Sequence, residues 1–296
     1  HSVTPTPSFP SSPSTFNPSF TIDPSMLGSE FTPICTPAPM FNDLVDPRGD
    51  TVLTRFKVPN GFERVSAEEG SFGQYLRNLA LAPDGEALHF FDGKLSDNPA
   101  HAAILKRDLP KRYEQCADTV IGIYANYLYD NNLYDKLCFT FNNGFECDFK
   151  HFTQGYRPNA DATKWITSSD FCTGYDKRVF DVFLDYVYLY ANTASLFENE
   201  LEKADPDSPK IGDVLIVPGF PGHVIMICDV IKNSSTGEIR FMTLQGSMPA
   251  VQPHIMLNAL EPEMSPWQNT RYEYGGFLSA TGWLCPKENI MRFKNI

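Results

Sequence analysis

Three apolar runs in the second half of the chain have the length and flanks of strands: GDVLIVP (212–218), HVIMICDVI (223–231) and EIRFMTLQ (238–245). Short turns rich in Gly, Pro and Ser separate them, so they are expected to pair in sequence as an antiparallel sheet. Upstream the apolar period lengthens. Ala117, Val120, Ile121, Tyr124, Tyr127 and Leu128 recur at three- and four-residue spacing and predict an amphipathic helix, with Pro110 as its start signal. A second stripe, Phe180, Phe183, Leu184, Val187, Tyr190, Ala191, Ala194 and Phe197, predicts the longest helix over 176–203, closed by Pro206 and Pro209. Between the helices, 137–150 reads as a hairpin turning at Asn142-Asn143-Gly144, followed by an irregular segment over 153–175. No period of about 20–50 residues repeats. Helices first and an antiparallel sheet later make an α+β pattern, with helices packed on an antiparallel sheet or half-barrel.

Composition separates the ends of the chain. Residues 1–40 hold nine of the 24 prolines amid Ser and Thr, too little apolar surface to offset ordering entropy. We therefore read 1–45 as a tail or spacer and 46–296 as one domain with a helical insertion at about 150–205. Such a spacer is expected of an exported protein, periplasmic or at the cell surface, with a signal segment or lipid anchor upstream. The net charge of −12 argues against nucleic acid, whose phosphates need clustered Lys and Arg. No apolar run reaches the 18–20 residues of a membrane-spanning helix. The seven cysteines form no C-x-x-C pair and no zinc spacing with the six histidines, and no Gly-rich phosphate loop occurs, so no metal or cofactor is expected. In the 137–150 hairpin an Asn143-Gly144 loop would set Cys138 opposite Phe149, so no Cys138–Cys147 disulfide is expected.

One imidazole is framed for chemistry. His223 follows Gly219-Phe220-Pro221-Gly222 and opens a strand, a place for a general base; an ordinary strand-end histidine is the competing reading. Cys116 is the nucleophile that fits such a base, early in a helix whose N-terminus favours thiolate, although a start at Pro110 would put it in the second turn; an inert core thiol is the competing reading. The strand arithmetic supplies an orienting group. If Asn233–Gly237 is a five-residue loop, Lys232 pairs with Glu238, Ile225 faces Gln245, and Gln245 shares a face with His223; a six-residue loop separates them. His254 is the alternative third residue. Trp165, Tyr156, Arg157, Trp267 and Trp283 lie in loop-like segments, where aromatics either line a sugar or peptide groove or pack as satellite core.

The order of a cysteine early in a helix (Cys116), Gly212-Asp213, Gly222-His223 opening a strand and Gln245 on the next strand resembles papain-like bacterial thiol hydrolases of the NlpC and CHAP types. The resemblance covers about residues 110–246. It implies a papain-like fold and an amidase or peptidase acting on a peptide such as peptidoglycan stem peptide, with Cys116, His223 and Gln245 as catalytic residues. Gln115-Cys116-Ala117-Asp118 stands where those enzymes carry Asp-Cys-Ser-Gly. From about residue 60 the chain also resembles an uncharacterised family of exported bacterial proteins, through HAAILKRDL (101–109), QCADTVIGIYANYLY (115–129), IGDVLIVPGFPGHVIMICDV (211–230) and LQGSMPAVQPHIM (244–256). The rival expectation is a non-catalytic envelope binding or structural module on the same scaffold.

Overall fold

The three apolar runs form the middle of a nine-stranded antiparallel sheet. The computed structural model describes residues 43–98, 101–270, 272, 275–279 and 282–296. Nearly all of the expected 1–45 spacer, with Cys35, lies outside the described residues. The sheet strands are β1 (Phe62–Arg64), β2 (His101–Ile104), β3 (Leu201–Lys203), β4 (Val214–Val217), β5 (His223–Asn233), β6 (Ile239–Gln245), β7 (His254–Met256), β8 (Gln268–Asn269) and β9 (Ile290–Phe293). Their order is β2-β7-β6-β5-β4-β9-β3, with β1 added to β5 and β8 to β6. The fold is α+β, with helices on a large antiparallel sheet.

Both faces of the sheet's centre are covered. Val224, Met226 and Cys228 of β5, with Met242 and Leu244 of β6, pack on one side in the same core as helix residues Val120, Ile121 and Tyr124. Ile225, Ile227 and Val230 pack on the other side with Phe241, Phe277 and Cys285. Double burial explains why β5 reads as a nearly unbroken apolar run instead of an alternating one.

Helix boundaries depart from the periodicity. The first long helix, α1 (Cys116–Asp130), starts at Cys116, six residues after Pro110. Asp118 sets that start: its Oδ2 accepts a hydrogen bond from the Gln115 backbone N–H at 2.8 Å. The second, α2 (Lys177–Tyr190), is capped by Asp176 and stops well before 203. Asn192 breaks the run by accepting from the N–H groups of Ala194 and Ser195, an alternative to continuing the helix. Leu201 then joins the main sheet opposite Phe293. The expected insertion therefore ends inside the core sheet, and α1 is longer than α2.

The 137–150 hairpin pairs Cys138 with Asp148 and Phe139 with Cys147, one residue off the expected register. Phe141 N–H bonding Phe145 O leaves a three-residue loop. All six described cysteines are free. Among the described residues, no helix is long and apolar enough to cross a membrane.

Candidate active site

His223 begins β5 because the preceding turn is tightly closed. Thr193 exchanges hydrogen bonds with both backbone groups of Gly219, at 3.3 Å each. A Cβ on Gly222 would lie 2.4 Å from the Gly219 carbonyl and 2.3 Å from Thr193 Oγ1, so that position requires glycine. His223 emerges half-buried, with the Trp283 ring edge-on at a centroid distance of 4.9 Å.

The β5–β6 register is not the expected one at the turn, yet it is the expected one at the site. Ile239 faces Lys232, which leaves six residues between the paired positions and would by itself put His223 and Gln245 on opposite faces. Between Met242 and Thr243 the register shifts: Met242 faces Asp229, Thr243 faces Ile227, and Cys228 is bulged out. The bulge restores the parity. His223 Nε2 lies 2.9 Å from Gln245 Oε1.

Gln245 faces His254 across β6 and β7, and its Nε2 lies 3.1 Å from His254 Nε2. His254 Nδ1 is 2.9 Å from the Gln252 carbonyl. His254 thus stands behind Gln245 as well as beside it. His101, which the sequence reading did not select, places its ring edge-on to His254 at 6.3 Å; nothing in its local sequence marks it, because the β2–β7 pairing alone brings it there. Burial pushes His254 down to about 4, opposed by its hydrogen bond to Gln252. Burial also lowers His223, partly offset by the hydrogen bond to Gln245. Both rings are neutral at pH 7.

Cys116 is the first residue of α1, not a second-turn residue, and is only 8% exposed. Its thiol lies against the backbone N–H of Val224, the residue after His223. Burial raises its pKa; the N–H groups of Val224 and Ala117 oppose that rise. Strand alternation turns Val224 to the α1 side and His223 to the side of Ile225 and Ile227. The thiol and the imidazole therefore reach the start of β5 from its two faces, and among the described residues no hydrogen bond joins them. Gly246, the residue after β6, closes the gap: a Cβ there would meet Thr119 Oγ1 of α1 at 2.2 Å.

The aromatic groove expected from the loops does not form at this site. Trp267 is fully buried, its Nε1 donating to Lys57 O. Arg157, 2% exposed, donates to the carbonyls of Phe152, Tyr156 and Cys172, a structural role. Trp165 stacks on His151 at 4.2 Å and Tyr156 meets the same histidine edge-on, which places both in a separate cluster on the insertion. Asp213 is a buried anchor for Arg292 of β9 at 2.7 Å. A cavity of about 340 Å³ lies along α1 and α2 and is lined by Arg107, Lys111, Glu114, Asn126 and Asp185, with none of Cys116, His223 or Gln245 among its walls.

A family profile described as "Domain of unknown function (4846)" matches residues 52–292. No curated protein and no solved structure gives a significant match.

Proposed function

The chain belongs to that family, and from this premise, which carries no activity of its own, we propose a thiol hydrolase of papain-like architecture that cleaves a peptide or amide bond. The observation that carries the reading is the convergence on the start of β5: an N-terminal helix thiol against Val224 N–H, and the neighbouring imidazole tied to Gln245. Cys116 Sγ would attack the amide carbonyl while His223 takes its proton and returns it to the leaving amine. Water would then hydrolyse the thioester, freeing the acid and the thiol. Gln245 would hold the imidazole through Nε2. The backbone N–H of Cys116, at the start of α1, would contribute to stabilising the oxyanion. The thiol and imidazole are not hydrogen-bonded in the free protein, so substrate binding must bring them together. An envelope peptide such as peptidoglycan stem peptide, met outside the cytoplasm, is the substrate class that the papain-like resemblance suggests.

One observation favours a second reading. A thiol that is 8% exposed and raised by burial is what a scaffold that has lost turnover would keep, as a binding or structural module. Alkylation with iodoacetamide across pH, read by peptide mass spectrometry, separates the two. The hydrolase requires Cys116 to react faster below pH 7 than half-buried Cys172, and His223→Ala to remove that advantage. Equal rates for the two thiols would sink the mechanism.

A further inference from the structure

The hydrogen-bond chain behind His223 ends on a group whose polarity is not negotiable. A backbone carbonyl only accepts, so the 2.9 Å contact between His254 Nδ1 and Gln252 O requires the proton to sit on Nδ1. A neutral imidazole protonated at Nδ1 has a lone pair at Nε2. Gln245, 3.1 Å from that nitrogen, must turn its NH2 towards it and its carbonyl oxygen away. That oxygen lies 2.9 Å from His223 Nε2 and accepts, so His223 must carry its proton there. We infer that His254 is a positioning residue: with the Gln252 carbonyl behind it, it fixes the orientation of the Gln245 amide and thereby holds His223 as the Nε2–H tautomer, with Nδ1 as its one basic nitrogen.

The geometry has no slack for the opposite arrangement. Rotating the amide by half a turn would set an oxygen against the His254 lone pair and an NH2 against His223, and reversing His254 would set a lone pair against a carbonyl. The residue at the centre of the chain, His254, is fully buried, and Gln245 is 4% exposed, so water cannot relieve either mismatch. Burial also keeps His254 neutral down to about pH 4, which preserves its acceptor nitrogen at neutral pH. The faces of His254 not used by Gln245 and Gln252 include the edge contact with His101, which makes no hydrogen bond to it among the described residues. For catalysis the consequence rests on the hydrolase reading: the nitrogen left free on His223 is the one available to a thiol. The tautomer itself does not depend on that reading.

Long-range proton–nitrogen spectra of the full chain labelled with 15N-histidine, at pH 7, test the inference without a variant. The expected pattern is His223 protonated only at Nε2 and His254 only at Nδ1. A His223 signal protonated at Nδ1, or averaged between tautomers, overturns it. In folded His254→Phe, which keeps the ring and removes the acceptor, His223 is expected to lose its single-tautomer pattern; an unchanged Nε2–H pattern would show that something else orients the amide, and the assignment to His254 fails. Wild-type tautomers as expected, together with a Cys116 no more reactive than Cys172, would end the hydrolase reading and leave the positioning role intact.

Discussion

What His223 can do is set less by its own position than by the amide beside it. Burial lowers its pKa and Gln245 restores only part of the loss, so any rate that needs the neutral imidazole should keep its acid limb below pH 6.5. Gln245→Glu probes the same contact from the other side. A carboxylate accepts on both oxygens, so His254, whose Nδ1 is already committed to Gln252, would have to protonate Nε2 as well. The His254 pKa should therefore rise from about 4 towards or above 6.5, read by an NMR titration; a value that stays near 4 refutes the acceptor role of Nε2. At this scale the sequence was only half informative. Counting along two apolar runs put Gln245 on the face of His223 through a five-residue loop that does not form, and it is the bulge at Cys228, which no count announces, that restores the pairing. Burial of Trp267 and Arg157 likewise depends on contacts with Lys57 and Cys172 that no local pattern announces.

Among the elements, α1 and the end of β6 decide whether the site exists. Gly246 lies so close to Thr119 that a methyl group must displace the first turn of α1 or the last residue of β6. Gly246→Ala should cost about 1–3 kcal/mol in urea denaturation and slow alkylation of Cys116 relative to Cys172; an unchanged midpoint would mean the two elements are not in contact as described. The start of α1 was misread because Pro110 is the stronger start signal in isolation. The deciding group, Asp118, sits three residues after an atypical cap, Gln115. The overlong reading of α2 has a similar origin: the apolar stripe continues through Ala194 and Phe197, but Asn192 offers the backbone a competing set of hydrogen bonds. Central strands of seven and eleven residues were legible, while three-residue strands such as β3 at the sheet's edge and β7 between β2 and β6 carry too few positions for a period to emerge.

For the whole molecule, two buried polar groups govern stability in different ways. Asp229 on β5 is fully buried and binds Arg64 of β1 at 2.8 Å and Arg77 of the short helix Phe72–Arg77 at 2.7 Å. Asp229→Ala would strand two guanidinium groups and should cost about 3–5 kcal/mol, measured by chemical denaturation; a loss under about 1 kcal/mol would mean that solvent already screens the cluster. His254 acts through pH. Its folded pKa of about 4 lies below the ordinary 6.5, so the unfolded chain takes up a proton that the folded chain refuses. Its effect is absent above pH 6.5, grows as pH falls towards 4, and levels off below. At about 1.4 kcal/mol per pH unit the destabilisation reaches about 3 kcal/mol. Comparing wild type with His254→Leu at pH 7 and pH 4 isolates it: the wild type should lose that much more on acidification, and parallel losses would place the charged form elsewhere.

The bulged Cys228 gives the β5–β6 hairpin two reading frames. From Lys232 to Asp229 the strands are counted in one frame, and from Ile227 to His223 in another, so the exposed turn at 233–238 and the imidazole at the far end answer to separate registers. Removing Cys228 alone would splice the two frames into one while keeping every pair on both sides. The hairpin tip can therefore be edited without moving the histidine, provided the frame change is kept in the middle.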